Sequence, residues 1–257
     1  MSAVLFDLDG VLYESDTPIA GAADTVNWFR KNKIPHLFLT NTTSKSREQL
    51  VEKLAGFGID CQTNDLLTPP VAAIQWISEK GIKDIALFVP ESTQAEFAQF
   101  SLHEKEDDKV DAVVIGDLGE QWDFATVNRV FRLLINNPDA KLIALGMTRY
   151  WRNKGKLQLD VGPIVKAIEY ATGRKPRVTG KPAKPFYKAA MSLLGKKKII
   201  MIGDDIYGDI EAAQKAGLKA ILVKTGKFTP GDLELGLKPK AVIDSIADLP
   251  QWWKMHM

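Results

Sequence analysis

Ala3-Val4-Leu5-Phe6-Asp7-Leu8-Asp9-Gly10 is an apolar run that ends on two carboxylates and a glycine. An apolar run of this length reads as a buried strand over 3–8. In a strand Asp7 and Asp9 point the same way, and a turn at Gly10 lets the second carboxylate swing over the first. Two ionised groups at a strand end are costly to bury, because each loses its hydration. A divalent cation would offset that cost, and parallel sheets place their sites at the carboxyl ends of strands. The plain alternative is a solvated strand-to-loop turn.

Outward from this run, strand-like segments alternate with segments of helical period, the pattern of βαβ units and a parallel sheet. A helix covering 25–31 and a strand at 35–40 come first. A helix over 44–57 follows, with Ser44 as its cap and Leu50, Val51, Leu54 and Phe57 as its apolar stripe. Thr68-Pro69-Pro70 then punctuates the chain. Further strands are read at 85–89, 112–115 and 142–145, with helices at 123–136 and 162–172. After a break at 173–182 the strands resume at 199–202, 220–223 and 241–243. The fold class is therefore α/β, a Rossmann-like parallel-sheet core over 1–71 and 178–257 with an inserted α/β cap over 72–177.

Lys plus Arg number 34 against 32 for Asp plus Glu, a net charge of +2, which argues against a dedicated nucleic-acid surface. A small phosphorylated molecule needs only a local positive pocket. Cys61 is the single cysteine, so no disulfide forms within the chain and a cytoplasmic setting is the natural expectation. No basic leader precedes the first strand, and apolar stretches such as 199–202 fall far short of the ~20 residues that cross a bilayer, so no membrane partner is expected. Lys196-Lys197-Lys198 reads as a solvated helix end, and Trp252-Trp253 as packing against the core or a neighbouring subunit. His36, His103 and His256 have no metal-ligand spacing.

Three further features stand beside candidate strand ends. Thr40-Asn41 closes the second apolar run, where a hydroxyl and turn amides can donate to a phosphoryl oxygen. Lys181, between Gly180 and Pro182, can offset negative charge on a transferring group. Gly203-Asp204-Asp205-Ile206-Tyr207-Gly208-Asp209 is a second acidic cluster, of the oxygen-ligand kind that hard Mg²⁺ prefers. Taken singly, each is also compatible with a solvated turn, a solvated lysine or a helix cap.

In order, Asp-x-Asp, Thr, Lys and Gly-Asp-Asp-x-x-x-Asp resemble the four signature motifs of the haloacid dehalogenase (HAD) superfamily of phosphohydrolases. The insertion between Thr40 and Lys181 resembles the large α/β cap of its NagD-like type. Leu159-Asp160-Val161-Gly162-Pro163 and Ala167-Ile168-Glu169-Tyr170-Ala171 look like the phospholysine phosphohistidine inorganic pyrophosphate phosphatase branch. The resemblance implies a Mg²⁺-dependent phosphatase acting on a small phosphorylated substrate, with Asp7 as nucleophile and Asp9 as acid and base. It implies that Asp7, the Asp9 carbonyl and Asp204 hold the metal, with Asp205 or Asp209 in its shell, and that Thr40, Asn41 and Lys181 hold phosphate. It also implies a homodimer through the cap and a specificity loop near Arg149-Tyr150-Trp151-Arg152, which by itself reads equally as a solvated loop. Asp9 favours phosphoryl chemistry over carbon–halogen cleavage, which needs no protonated leaving oxygen.

Two rivals come from other classes. A phospho-acceptor signalling module also combines aspartates, Thr and Lys, but there the paired acids precede the acceptor and the Lys comes last. A catalytically idle binding protein on the same scaffold is the other, and it is at odds with the full set of catalytic residue types.

Overall fold

The alternating pattern folds into two parallel sheets in a computed structural model that describes residues 2–153, 156–195 and 198–257, with the backbone alone at 151–153. The chain divides into two units: Met1–Thr40, Arg47–Leu67 and Lys181–Met257 form the first, and Asn41–Ser46 with Thr68–Gly180 the second. Lys196 and Lys197 of the basic run lie outside the described residues, while Lys198 starts a strand with its side chain exposed.

In the first unit six strands lie in the order Ala241–Ile243, Lys219–Val223, Lys198–Gly203, Ser2–Asp7, His36–Leu39, Leu66–Leu67, all parallel. The strand Ser2–Asp7 is central and apolar from Ala3 to Phe6, as expected of a strand covered on both faces. Val4, Phe6 and Leu8 fall on one face and join Phe38, Ile200, Ile202 and Ile221 in a single core. The helix Ala22–Lys31 buries Ala22, Val26 and Phe29 against it, one stripe of the helical period. Phe29 meets Phe6 edge-on at 5.3 Å and Trp253 at 5.1 Å, so the C-terminal helix Leu249–His256 closes the same core through both buried tryptophans. Asp7 alternates to the other face.

The second unit holds a five-stranded parallel sheet in the order Arg177–Val178, Lys141–Ala144, Ala112–Ile115, Asp84–Phe88, Ser101–Leu102. Its helices Phe124–Asn136 and Val161–Thr172 are capped by Asp123, which accepts from the Thr126 N–H at 2.7 Å, and by Asp160, which accepts from Val161 at 2.6 Å. Three local expectations change. Pro69 and Pro70 open a helix, Pro69–Glu79, because a proline in the first turn has no intrahelical N–H to lose; Thr68 Oγ1 caps it by accepting from Val71. The helix expected over 44–57 starts at Arg47, and Ser44 does not cap it. The carbonyls of Thr43 and Ser44 instead accept from Thr93 Oγ1 at 2.7 Å and Ser92 Oγ at 3.0 Å, which draws 41–46 into the second unit. Tyr150–Asn153 pairs antiparallel with Lys156–Leu159, where the sequence suggested a loop. No helix among the described residues is long and apolar enough to cross a membrane.

Candidate active site

Parallel register assembles the acidic residues. Phe6 lies opposite Ile202 and Asp7 opposite Leu39, so the carboxyl ends of three adjacent strands deliver Asp7, Thr40 and Asp204 to one edge of the first sheet. From the central strand the chain proceeds to one side through His36–Leu39 and to the other through Lys198–Gly203, which makes this edge the topological switch point of the sheet.

Asp7 is buried, and its Oδ1 accepts the Leu8 N–H at 2.8 Å. Lys181 Nζ lies 2.6 Å from that same oxygen and donates to Asp209 Oδ1 at 2.9 Å. Asp7, Asp204 and Asp209, all buried, each offer a carboxylate oxygen within 4.8 Å of the others. Three carboxylates and one ammonium in so small a volume leave uncompensated negative charge, which acts beside burial on the pKa of each group. Burial, then Asp7, pushes Asp209 up to about 7. Burial pushes Asp204 up to about 6, against the N–H of Lys227 that stabilises its anion. Burial also raises Asp7, with Asp204 adding to the shift and Lys181 opposing it. Burial works to lower Lys181, but Asp209 and Asp7 overcome it and hold the ammonium well above its ordinary value.

Asp204 is the most constrained of the set. Its Oδ2 accepts the Lys227 N–H at 2.7 Å, while its Oδ1 has no hydrogen-bond partner among the described residues, although it is buried. Two glycines wall it in. A Cβ at Gly10 (φ +85°) would sit 2.1 Å from Oδ2, and one at Gly226 (φ +64°) would sit 2.2 Å from the same atom. Only glycine combines that backbone conformation with that approach. An orphaned buried carboxylate oxygen beside two more carboxylates is the donor set of a hard cation, so these residues fit a divalent metal.

The family model described as a haloacid dehalogenase-like hydrolase matches residues 4–103, and a second HAD-like hydrolase model matches 178–249. Over 252 residues, 95% of this chain and 91% of the relative, the sequence is 36% identical to the human phospholysine phosphohistidine inorganic pyrophosphate phosphatase. The chain belongs to the haloacid dehalogenase-like hydrolase family. Two solved members show the same architecture over almost all of this HAD-like hydrolase. A p-nitrophenyl phosphatase from Archaeoglobus fulgidus has a TM-score of 0.88 at 25% identity, covering 97% of this chain and 98% of its own. NagD from E. coli K-12 shares the fold at 0.85 and 24% identity, covering 96% of this chain and 97% of its own.

Within this HAD-like hydrolase, Asp7, Lys181, Asp204 and Asp209 meet as one buried cluster. Thr40 is buried, and its N–H donates to the Leu67 carbonyl at 3.2 Å. Asp9 is exposed, one residue past the core position Leu8, with its Oδ1 accepting from Ser15 N–H at 3.4 Å. Asp205 faces another task. Its Oδ1 accepts from Tyr207 and Gly208 at 3.0 and 2.7 Å, capping the π-helical turn Ile206–Glu211, and its Oδ2 takes Lys227 Nζ at 3.1 Å. Burial alone would raise it, but those N–H donors and Lys227 hold it below the ordinary carboxylate value. Asn41 is an exposed residue of the second unit, as is Arg149, whose guanidinium lies 5.7 Å from the Tyr150 ring; the Trp151 side chain lies outside the described residues. Sequence reasoning missed Tyr187, whose buried hydroxyl donates to the Gly208 carbonyl at 2.6 Å, and the loop Thr225-Gly226-Lys227. For the loop a signal existed: Thr225-Gly226 stands one residue past the apolar strand Lys219–Val223.

Proposed function

We propose that this HAD-like hydrolase is a magnesium-dependent phosphatase that cleaves a small phosphorylated substrate through an aspartyl-phosphate on Asp7. The observation that carries this reading is Asp7 itself: buried at the switch point, 2.6 Å from Lys181 and within the cluster that includes Asp204 and Asp209. Asp7, Asp204 and the Asp9 carbonyl would hold the cation, with Asp209 in its outer shell. When bound, the cation supplies charge neutralisation shared between the carboxylates and the phosphoryl oxygens. An Asp7 oxygen attacks phosphorus as the bond to the leaving oxygen breaks, and Asp9 gives that oxygen its proton. Water then adds to phosphorus, its proton passes to Asp9, and the bond to Asp7 breaks to release phosphate. Thr40, Asn41 and Lys181 donate to the phosphoryl oxygens, and Asp209 keeps the Lys181 ammonium charged and in place. Asp205 serves as helix cap.

The second unit is the cap that chooses the substrate, with Arg149, Tyr150 and Trp151 as its candidate specificity residues. Monoesters, phosphoamides and pyrophosphate are the classes to test, as the name of the human relative and those of the p-nitrophenyl phosphatases suggest. A cytoplasmic homodimer joined through the cap completes the reading.

The test is phosphate release from p-nitrophenyl phosphate, a phosphoamide and pyrophosphate, with and without Mg²⁺, by wild type and Asp7→Asn. The expected result is Mg²⁺-dependent turnover that Asp7→Asn abolishes. Wild-type turnover no greater than that of the variant across the panel overturns the reading and favours an idle binding protein. A stable phospho-form of the wild type without turnover favours a signalling module.

A further inference from the structure

Three loops converge on Asp204, and only two of them contain sequence-predicted site residues. The third, Thr225-Gly226-Lys227, follows the strand Lys219–Val223 and touches both others. Thr225 Oγ1 donates to the Gly10 carbonyl at 2.5 Å, and Gly226 N–H donates to Glu14 Oε1 at 2.9 Å; both partners lie on the segment that carries Asp9. Lys227 N–H donates to Asp204 Oδ2 at 2.7 Å, and its ammonium lies 3.1 Å from Asp205 Oδ2, both on the second acidic loop. Between these tethers Gly226 lies so close that a Cβ there would be 2.5 Å from the Gly10 Cα.

We propose that Thr225-Gly226-Lys227 is a positioning loop that decides which oxygen of Asp204 faces the cation. The inference rests on the metal-holding role of Asp204 proposed above. A carboxylate can rotate and present either oxygen, or both. Here Oδ2 is occupied by the Lys227 N–H and shut in by two glycine backbones, so Oδ1 is left without a hydrogen-bond partner among the described residues. The N–H can hold that orientation only while the loop stays in register with Gly10, and the Thr225 hydroxyl is the bond that sets the register. Gly10 follows Asp9, whose own carbonyl is assigned to the same cation, so one hydroxyl ties two metal donors to a common frame. Thr225 is thus a positioning residue, acting through Gly10 and Asp204. Partners of this kind tune affinity strongly, typically by about 10- to 100-fold in metal binding when removed.

Thr225→Val keeps the side-chain shape and removes the donor; Thr225→Ser keeps the donor. Calorimetric titration of the purified full-length protein with Mg²⁺ should show Kd raised about 10-fold by Thr225→Val and restored to within about twofold by Thr225→Ser. KM for p-nitrophenyl phosphate at saturating Mg²⁺ should stay at the wild-type value, since the Thr225 hydroxyl and the Gly226 and Lys227 N–H groups are already engaged by Gly10, Glu14 and Asp204. If Thr225→Val fails to fold, Thr225→Ala provides the same comparison. Wild-type Mg²⁺ affinity in a folded variant lacking the hydroxyl overturns the proposal and leaves the functional reading intact. A wild-type protein that binds no Mg²⁺ overturns both.

Discussion

Asp204→Asn replaces a buried carboxylate by a neutral group of the same size, and the geometry fixes the sign of its effect with and without metal. Asp204 has an ordinary value of 3.8 and is pushed up to about 6 in the fold. A carboxyl raised on folding adds stability while it is protonated, below its unfolded value, and loses it as pH rises through the folded value. The whole interval is worth ~3 kcal/mol once both states are ionised, from the 3.8 and about 6 just given. Asparagine stays neutral throughout and can still accept the Lys227 N–H through its amide oxygen. In EDTA the variant should therefore be the more stable protein, by about half of that near pH 5 and nearly all of it near pH 8. In a thermal melt the larger figure corresponds to roughly 6–12 °C for a protein of this size. With Mg²⁺ the order reverses, because the cation binds the wild-type cluster and stabilises only the form that binds it. A variant no more stable than wild type at high pH in EDTA, or a gap that does not widen with pH, would refute the reasoning.

Lys181→Met should act oppositely, because it leaves Asp7 and Asp209 facing each other without their shared ammonium. A loss of about 3–5 kcal/mol in denaturant unfolding at neutral pH is expected, shrinking as the pH falls and the carboxyls take up protons; an equal loss at all pH values would contradict it. Tyr187→Phe strips the Gly208 carbonyl of its donor and should cost about 1–3 kcal/mol in the same assay, with an unchanged midpoint as the contrary result.

Five of the six strands of the first unit's sheet were readable from sequence because each is built on a β-forming apolar run, the signature of a strand buried on both faces; the two-residue edge strand Leu66–Leu67 was not read. The acidic residues were readable because ionised groups rarely follow such runs without a task. What escaped the sequence was set by distant partners. Nothing local marks Ser101–Leu102 or Arg177–Val178 as strands; two residues become edge strands only because Asp84–Phe88 and Lys141–Ala144 lie beside them. Ser44 has a capping side chain, but the hydroxyls of Ser92 and Thr93, about fifty residues away in sequence, take hold of the backbone of its segment first. Asp205 and Asp209 look alike in sequence; the N–H groups of Tyr207 and Gly208 claim one and Lys181 the other.

The two glycines against Asp204 have a consequence for how this molecule can vary. Part of the acidic pocket is bounded by main chain, at Gly10 and Gly226, and a wall without side chains cannot be adjusted by small steps. The least change available at either position, a single methyl, would fall well inside van der Waals contact distance of the carboxylate oxygen it shelters. The reacting end is therefore mutationally rigid, and a new specificity is far more accessible through residues whose side chains can grow, shrink or turn without meeting that oxygen.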